Sequence, residues 1–178
     1  MGHGELVSVV LEPMAGRHVD AVCALDARCY SRPWSAAQWR TELDADDRTH
    51  LVLRDDDRLV AHAGSLRVLD ELHITTVAVD PDREGNGHGT RLCIELLRLG
   101  IAAGATAATL EVRAQARRTQ RLYGRLGFAP AGIRTRYYDK PTDDAVIMWI
   151  HDLASPEIAE RLDRVADELA PISDGARS

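Results

Sequence analysis

Apolar and polar residues follow two periods along the chain, and these periods predict its secondary structure. A period of two, or a short apolar run, predicts a strand in each of these segments: residues 6–11, 49–54, 59–69, 72–79, 106–112, 128–138 and 145–151. Helical spacing predicts helices over residues 17–30, after Ser35 as N-cap, from about Thr90 to Gly104, and over residues 117–126. The order β-α-α-β-β-β-α-β-α-β-β predicts a mixed sheet with helices on both faces.

The segment from residue 72 to residue 112 has the order strand, glycine turn, helix, strand. A crossover of this kind joins parallel strands that lie in one sheet. We therefore expect strands 72–79 and 106–112 to run parallel.

The residues after position 153 contain one apolar pattern. Ile158, Leu162, Val165 and Leu169 form a single helical stripe. We divide the chain into a domain at residues 1–153 and a C-terminal helical tail at residues 154–178. The tail either packs on its own domain or forms a dimer contact, so the expected state is a monomer or a weak dimer.

Composition narrows the class of protein. The 178 residues are enough for one domain with a hydrophobic core. The net charge of −6, without a basic block, argues against nucleic acid as a partner. No apolar run has the length of a membrane span and no signal-peptide pattern is present, so we expect no membrane partner and a cytoplasmic location. Cys23, Cys29 and Cys93 are odd in number and lack metal-ligand spacing, so we expect reduced thiols and no metal.

The glycine-rich turn after strand 72–79 is the strongest chemical signal. Glycines alternate with other residues directly before a helix, in the run Gly85, Asn86, Gly87, His88, Gly89 and Thr90. Alternating glycines let successive backbone N–H groups point into one concavity, and the helix N-terminus adds partial positive charge. The turn predicts a phosphate or pyrophosphate site for a cofactor, to which His88 contributes its backbone N–H. The alternative is an ordinary connection between a strand and a helix.

Two further segments resemble a known family. Glu111 lies inside the apolar strand Leu110-Glu111-Val112-Arg113, and twelve residues later Tyr123 lies in Leu122-Tyr123-Gly124-Arg125-Leu126-Gly127-Phe128. The order of strand, glycine turn, helix, strand and this last helix resembles the GNAT acetyltransferase superfamily over residues 6–152. Together with Pro33-Trp34-Ser35 and residues 137–145, these segments look like the ribosomal-protein-alanine N-acetyltransferases (the RimI type).

The resemblance implies a fold, a cosubstrate and a substrate. The fold class is α/β (α+β), with a mixed, mostly antiparallel sheet of about six to seven strands, helices on both faces, and a splayed parallel pair that holds the cofactor. The cosubstrate is acetyl-CoA, and the substrate is a protein N-terminus, the N-terminal alanine of a small-subunit ribosomal protein. The implied cofactor-binding residues are Val77, Ala78, Val79, Gly85, Asn86, Gly87, His88, Gly89 and Thr90.

The resemblance also assigns roles to side chains. Glu111 matches the general base and Tyr123 the general acid, while the backbone of residues 77–79 would contact the pantetheine arm and the oxyanion. The implied substrate-binding residues are Tyr30, Trp34, Tyr137 and Tyr138. Two alternatives stay open: Glu111 is a structural carboxylate paired with Arg113 or Arg136, and Tyr123 is a core tyrosine.

Two positions depart from the family pattern near the cofactor. Glu84 stands where the family usually has Gln or Arg, and Ala116 stands where it tends to have Asn. A carboxylate about 6 Å from a phosphate charge costs roughly 0.7–3 kcal/mol. We expect Arg83 and Arg91 to offset this charge if Glu84 faces the phosphates, and no cost if Glu84 points to solvent.

The chemistry of amines favours a protein N-terminus as the acceptor. A free α-amino group has a pKa of about 7.7–8, against about 10.4 for lysine, so its deprotonation needs about 3.4 kcal/mol less free energy. Two alternatives remain: a GNAT acetyltransferase for lysine or a small-molecule amine, and a degenerate acyl-CoA-binding module, which Glu84 and Ala116 favour.

Overall fold

The computed structural model of the protein describes residues 9–169 and residues 173–174. The strands are β1 (Val9–Pro13), β2 (Arg48–Asp55), β3 (Arg58–Val68), β4 (Glu71–Val79), β5 (Ala107–Arg113), β6 (Ala129–Tyr138), β7 (Asp143–Ile150) and β8 (Ser173–Asp174). The helices are α1 (Val19–Cys29), α2 (Ala36–Leu43), α3 (His88–Ala102), α4 (Arg117–Leu126) and α5 (Pro156–Asp167). Residues 6–8, which we expected to begin the first strand, lie outside the described residues.

All described strands join one sheet in the order β6-β7-β5-β4-β3-β2-β1-β8. Neighbouring strands are antiparallel except for the pairs β4–β5 and β1–β8. The sequence analysis correctly predicted the mixed, mostly antiparallel sheet and the parallel pair. The sheet has one strand more than the six to seven expected, because β8 contains only two residues and such a short strand carries no recognisable period.

The parallel pair opens towards the C-terminal ends of its strands. β4 and β5 are paired only from Glu71–Ala107 to His73–Thr109. Beyond His73, β4 pairs only with β3, and beyond Thr109, β5 pairs only with β7. The backbone groups of residues 74–79 that face β5 therefore have no strand partner, and this confirms the splayed pair that we expected.

Helices cover both faces of the sheet and divide the core into two clusters. The larger cluster contains the apolar faces of α3, α4 and α5 together with Ala108, Leu110 and Val112 of β5. The smaller cluster lies under α1 and α2 and includes Trp39 and Ala78. Because side chains alternate along a strand, Glu111 lies on the face opposite to Leu110 and Val112.

Local signals explain where two of the helices begin. The Ser35 hydroxyl accepts a hydrogen bond from the backbone N–H of Gln38, and the Gln38 side chain accepts one from the backbone N–H of Ser35, which forms a capping box. The Ser155 hydroxyl caps α5 in a similar way by accepting a hydrogen bond from the backbone N–H of Ile158. None of the helices within residues 9–169 is both long and apolar enough to span a membrane.

The tail packs on the core of its own chain. Ile158, Leu162 and Val165 are buried in the larger cluster, and Leu169 packs against that cluster. Further along, β8 pairs in parallel with β1, where Ser173 lies opposite Val10. The predicted domain boundary at residue 153 falls in the loop before α5.

Candidate active site

Two cavities lie beside the open end of the β4–β5 pair. The first, here called the glycine-turn cavity, measures about 760 Å³ and contains the turn, β4 residues Val77 and Val79, and one side of α4. The second, here called the aromatic cavity, measures about 670 Å³ and lies between the α1–α2 connection and the β6–β7 hairpin. Val77 lines the first cavity and the adjacent Thr76 lines the second, so the two cavities meet at β4.

The glycine turn has the backbone conformation that its sequence requires. Gly85 and Gly87 have φ angles of 82° and 78°, which are left-handed values that favour glycine, and α3 begins directly after Gly87. At Gly89, a Cβ atom would lie 3.4 Å from a methyl group of Val79, so α3 packs closely on β4. The first backbone N–H groups of α3 lack partners within the helix and carry its positive dipole end.

The residues expected to bind the cofactor lie together, with one exception. Eight of them line the glycine-turn cavity: Val77, Val79, Gly85, Asn86, Gly87, His88, Gly89 and Thr90. Ala78 does not line it, because its side chain points to the opposite face of β4 and is buried under α1 and α2. Burial, followed by the nearby Arg91 and Arg83, lowers the pKa of His88, so this imidazole is neutral at pH 7.

The charges around the turn differ from those we expected. Glu84 does line the cavity, but neither Arg83 nor Arg91 is among its described lining residues. Arg83 instead forms an ion pair with Asp55, with 2.6 Å between its Nη1 and the Oδ2 of Asp55. The basic lining comes from α4, which contributes three residues that the sequence analysis overlooked: Arg118, Arg121 and Arg125. Their spacing of three and four residues places them on one helical face, and this was the signal available in the sequence.

The start of the turn is fixed by a buried carboxylate. Asp80 is 1% exposed and pairs with Arg28 at 2.7 Å and with Arg58 at 2.5 Å. Its carboxylate also accepts a hydrogen bond from the backbone N–H of Asp82. Burial alone would raise the pKa of Asp80, but this hydrogen bond and the two arginines together hold it below its usual value.

Tyr123 lines the deep part of the glycine-turn cavity. It is 7% exposed and packs edge-on against Phe128, with 5.9 Å between the ring centroids. Its hydroxyl forms no hydrogen bond with any described residue. Burial raises the pKa of Tyr123 well above its usual value, so the hydroxyl is protonated at neutral pH.

Glu111 has a different partner from the two that we considered. Its Oε1 lies 3.2 Å from Nε of Arg134 on β6, while Arg113 lies over the ring of Tyr138 at 4.3 Å. The Glu111 carboxylate also acts on Tyr137, and this carboxylate, more than burial, raises the pKa of the Tyr137 hydroxyl. The alternation of side chains between the two faces of the sheet is broken along β6 in this region. The sequence therefore did not show which arginine would reach Glu111.

The irregularity in β6 directs two tyrosines into the aromatic cavity. The register of β6 on β7 shifts between Arg134 and Tyr138, and Arg136 has a φ of 48°. The backbone N–H of Arg136 donates to a carboxylate oxygen of Asp144 at 2.7 Å. Such a bulge changes the direction of the side chains next to it. As a result, Tyr137 and Tyr138 both face the aromatic cavity, where they lie edge to face with 5.1 Å between their ring centroids.

All four residues expected to bind the substrate line the aromatic cavity, namely Tyr30, Trp34, Tyr137 and Tyr138. The Tyr30 hydroxyl lies 2.9 Å from Oγ1 of Thr76 and donates to the carbonyl oxygen of Val77 at 3.2 Å. Burial raises the pKa of both Tyr30 and Tyr138 to about 12, so both are neutral. Glu111 is absent from the described lining of either cavity, but Tyr137, whose pKa it raises, lines the aromatic cavity.

A buried polar cluster supports the floor of the aromatic cavity. Oδ1 of Asp26 lies 2.6 Å from Nε2 of His62, and Nε1 of Trp39 donates to Oδ2 of Asp26 at 2.9 Å. Asp26 and Trp39 are both 2% exposed and both line the cavity. The sequence analysis did not single out Asp26, because one acidic residue on a helix resembles any solvated position.

The described residues include no group of three or more His, Cys, Asp or Glu side chains arranged to hold a metal ion. Cys23, Cys29 and Cys93 are free thiols. Cys93 lines the glycine-turn cavity, and burial raises the pKa of its thiol to about 12, so it is not a nucleophile at neutral pH.

Known proteins resemble this chain in both sequence and fold. Residues 19–128 match the Acetyltransferase (GNAT) family. A Salmonella typhimurium protein named ribosomal protein bS18-alanine N-acetyltransferase is 36% identical over 132 residues, which cover 72% of this chain and 87% of that protein. An Escherichia coli K12 protein of the same name is 33% identical over 128 residues, with coverage of 70% and 84%. The crystal structure of the ribosomal-protein-S18-alanine N-acetyltransferase from Escherichia coli has a TM-score of 0.75 at 28% identity, and the similarity covers 83% of this chain and 97% of that one.

Proposed function

The chain belongs to the GNAT acetyltransferase family, and on this premise we propose that it acetylates the α-amino group of a protein N-terminus. We infer that the substrate is the N-terminal alanine of a small-subunit ribosomal protein, since two relatives carry the name of a bS18-alanine N-acetyltransferase. The observation that carries the proposal is the meeting of the glycine-turn cavity and the aromatic cavity at β4.

Acetyl-CoA would occupy the glycine-turn cavity. The left-handed glycines and the N-terminus of α3 suit its pyrophosphate, because both offer unpaired N–H groups to an anion. The unpaired edge of β4 suits the pantetheine arm, which carries amide groups that need hydrogen-bond partners. This arrangement would bring the thioester to the end of β4, beside Tyr123.

The acceptor amine would enter from the aromatic cavity and lose a proton before it attacks. In this proposal Glu111 accepts that proton through the Tyr137 hydroxyl or through one water molecule, because Tyr137 lines the cavity and the Glu111 carboxylate is near enough to raise the pKa of its hydroxyl. The ion pair with Arg134 holds the Glu111 carboxylate in place. A free α-amine requires less help than lysine in losing its proton.

The amine nitrogen then bonds to the thioester carbon, and the carbon–sulfur bond breaks. Backbone N–H groups of residues 77–79 would stabilise the negative charge that develops on the thioester oxygen. Tyr123 would donate its proton to the departing sulfur, and the second proton that the nitrogen loses would return to the Tyr123 oxygen, so that the protons balance. The products are an acetylated N-terminus and CoA.

The test compares two peptides of the same composition. One begins with a free alanine and has its lysines blocked, and the other has an acetylated N-terminus and one free lysine. Mass spectrometry after incubation with acetyl-CoA locates the acetyl group. We expect transfer to the α-nitrogen, with peptides that begin with Ala, Ser or Gly reacting fastest because a small first residue fits beside the base.

Two outcomes would replace the proposal. Preferred transfer to lysine or to a small amine would assign the enzyme another acceptor. Binding of acetyl-CoA without transfer to any amine would assign an acyl-CoA-binding module. The position of Glu84 in the glycine-turn cavity favours this second alternative, because its carboxylate opposes the binding of phosphates.

A further inference from the structure

The end of the tail reaches the glycine-turn cavity. Glu168 and Leu169, which follow α5, are both among its lining residues. A Cβ atom on Gly87 would lie 2.7 Å from Cδ2 of Leu169, so this side chain rests directly on the turn. The tail is anchored on both sides of this point, by the buried stripe of α5 and by the pairing of β8 with β1.

The tail also places a negative charge on a basic residue of the cavity. The Glu168 carboxylate forms an ion pair with the guanidinium of Arg125, which is the last of the three arginines that α4 contributes. Both side chains are about half exposed, so this ion pair lies at the mouth of the cavity. The first of these arginines lies at the turn instead, since Nη2 of Arg118 is 3.3 Å from the Cβ position of Gly85.

CoA carries two separate anionic groups, a pyrophosphate and a 3′-phosphate on its ribose. The backbone N–H groups of the glycine turn and of the start of α3 would bind the pyrophosphate. The ribose is joined to the pyrophosphate at the end remote from the pantetheine arm, so it would lie towards the mouth of the cavity. Arg125 lies there, and a guanidinium binds phosphate oxygens through paired, charge-assisted hydrogen bonds.

We propose that Arg125 recognises the 3′-phosphate of CoA and that Glu168 holds Arg125 until this phosphate displaces it. This inference rests on the proposed placement of acetyl-CoA in the glycine-turn cavity. An exposed ion pair contributes little to stability, so replacing Glu168 by a phosphate as the partner of Arg125 costs little free energy. Glu168 would nevertheless lower the affinity for CoA, because it competes for Arg125 and repels the phosphate.

The test compares CoA with dephospho-CoA, which lacks only the 3′-phosphate, by calorimetric titration of the full-length protein. The wild type should bind CoA more tightly than dephospho-CoA. Arg125→Gln should weaken the binding of CoA by about tenfold, because it removes charge-assisted hydrogen bonds at a partly exposed position. It should leave the binding of dephospho-CoA unchanged.

Glu168→Gln should have the opposite effect and tighten the binding of CoA by about two- to fivefold, with no effect on dephospho-CoA. The matched control is Asp163→Asn on the same tail. This variant breaks an exposed ion pair with Arg98 of 2.6 Å, and Asp163 is not among the described lining residues of the cavity. It should change neither affinity.

Three results would overturn the inference. Equal affinity of the wild type for CoA and dephospho-CoA would exclude a 3′-phosphate contact while leaving the proposed cofactor site intact. An equal loss of both affinities in Arg125→Gln would assign Arg125 to the pyrophosphate. The absence of binding of either ligand to the wild type would reject the cofactor site itself, and the inference with it. If Arg125→Gln does not fold, Glu168→Gln provides the same comparison with a smaller change.

Discussion

The two cavities that meet at β4 are built in different ways. The glycine-turn cavity is largely a backbone site, formed by left-handed glycines, a helix N-terminus and an unpaired strand edge. The aromatic cavity is a side-chain site, formed by rings from the α1–α2 connection and the end of β6 and supported by the buried cluster of Asp26, His62 and Trp39. We therefore expect changes of backbone conformation to affect the glycine-turn cavity most, and the loss of single side-chain groups to affect the aromatic cavity most.

Tyr123→Phe should give the largest effect, a loss of kcat. Tyr123 contributes a side-chain hydroxyl to a cavity that is otherwise built largely from backbone groups. The variant removes one hydroxyl that has no described hydrogen-bond partner and leaves the packing on Phe128 in place. Loss of a general acid lowers kcat by about 10²–10⁴-fold. Steady-state kinetics with an alanine-initiated peptide should show this loss, and the affinity for acetyl-CoA should stay unchanged. Wild-type kcat in this variant would mean that Tyr123 is only a core residue.

Glu111→Gln should lower kcat by about 10²-fold with little effect on either substrate affinity. The reason is that Glu111 is absent from the described lining of both cavities and acts only on the proton. Arg134→Gln is the matched control, since it breaks the same ion pair but keeps the carboxylate. If both variants lose the same activity, the ion pair matters for structure and Glu111 is not the base.

Asp26→Ala tests the support of the side-chain cavity. It leaves the ring nitrogens of His62 and Trp39 buried without their carboxylate, so the free energy of unfolding should fall by about 3 kcal/mol or more. Thermal and urea unfolding measure this change. The affinity for acetyl-CoA should remain, because the cluster and the glycine turn lie on opposite sides of β4. Asp163→Ala, at an exposed ion pair, should cost about 1 kcal/mol or less.

Gly87→Ala tests the backbone cavity, with Gly104→Ala as its control. Both glycines have left-handed φ angles, 78° and 92°, so alanine should cost about 1–2 kcal/mol of stability at each. A Cβ on Gly104 meets nothing within 4 Å, whereas one on Gly87 enters the cavity beside Leu169. Only Gly87→Ala should therefore weaken acetyl-CoA binding in a calorimetric titration. Equal binding by the two variants would contradict the proposed pyrophosphate site.

The difference between the cavities also explains what the sequence could predict. A glycine turn is recognisable because glycine and a following helix fix the backbone within a few residues. The splayed pair followed from the βαβ order and the family resemblance, and the structure confirms it. The ion-pair partner of Glu111 is Arg134, which is neither of the two arginines considered for a structural carboxylate, because a bulge in β6 decides which arginine reaches Glu111 and no period indicates a bulge.

Contacts between distant segments were the least predictable. Arg83, which we considered as a counter-charge to Glu84, forms its ion pair with Asp55, which the strand β2 brings to the same end of the sheet. The position of Glu168 and Leu169 at the glycine turn depends on the direction of α5, which its apolar stripe does not determine. Such contacts arise from packing, which a local pattern does not encode.

The smallest expected effect is the pH dependence of stability, which compares one histidine from each region. His88 lies in the glycine turn, and burial together with Arg91 and Arg83 lowers its pKa. His50 packs against Trp39 beside the aromatic cavity, and burial lowers its pKa although Glu42 opposes the shift. Above a pH of about 7.5, roughly one unit above the ordinary histidine pKa, both imidazoles are almost entirely neutral in the folded and unfolded chains and add little slope. Below that pH, the unfolded chain takes up protons that the folded chain does not, so the free energy of unfolding should fall as the pH falls.

Urea unfolding between pH 7.5 and pH 5, roughly one unit above and below the ordinary histidine pKa, measures this slope. His18, whose pKa burial also lowers, adds the same slope to every variant. His88→Gln and His50→Gln should each flatten the slope, because each removes a histidine whose pKa is lowered in the folded chain. Saturating acetyl-CoA should flatten the slope in the wild type, since phosphates beside His88 favour its protonated form, and should have no such effect in His88→Gln. An equal effect of acetyl-CoA in both proteins would place the phosphates away from the glycine turn.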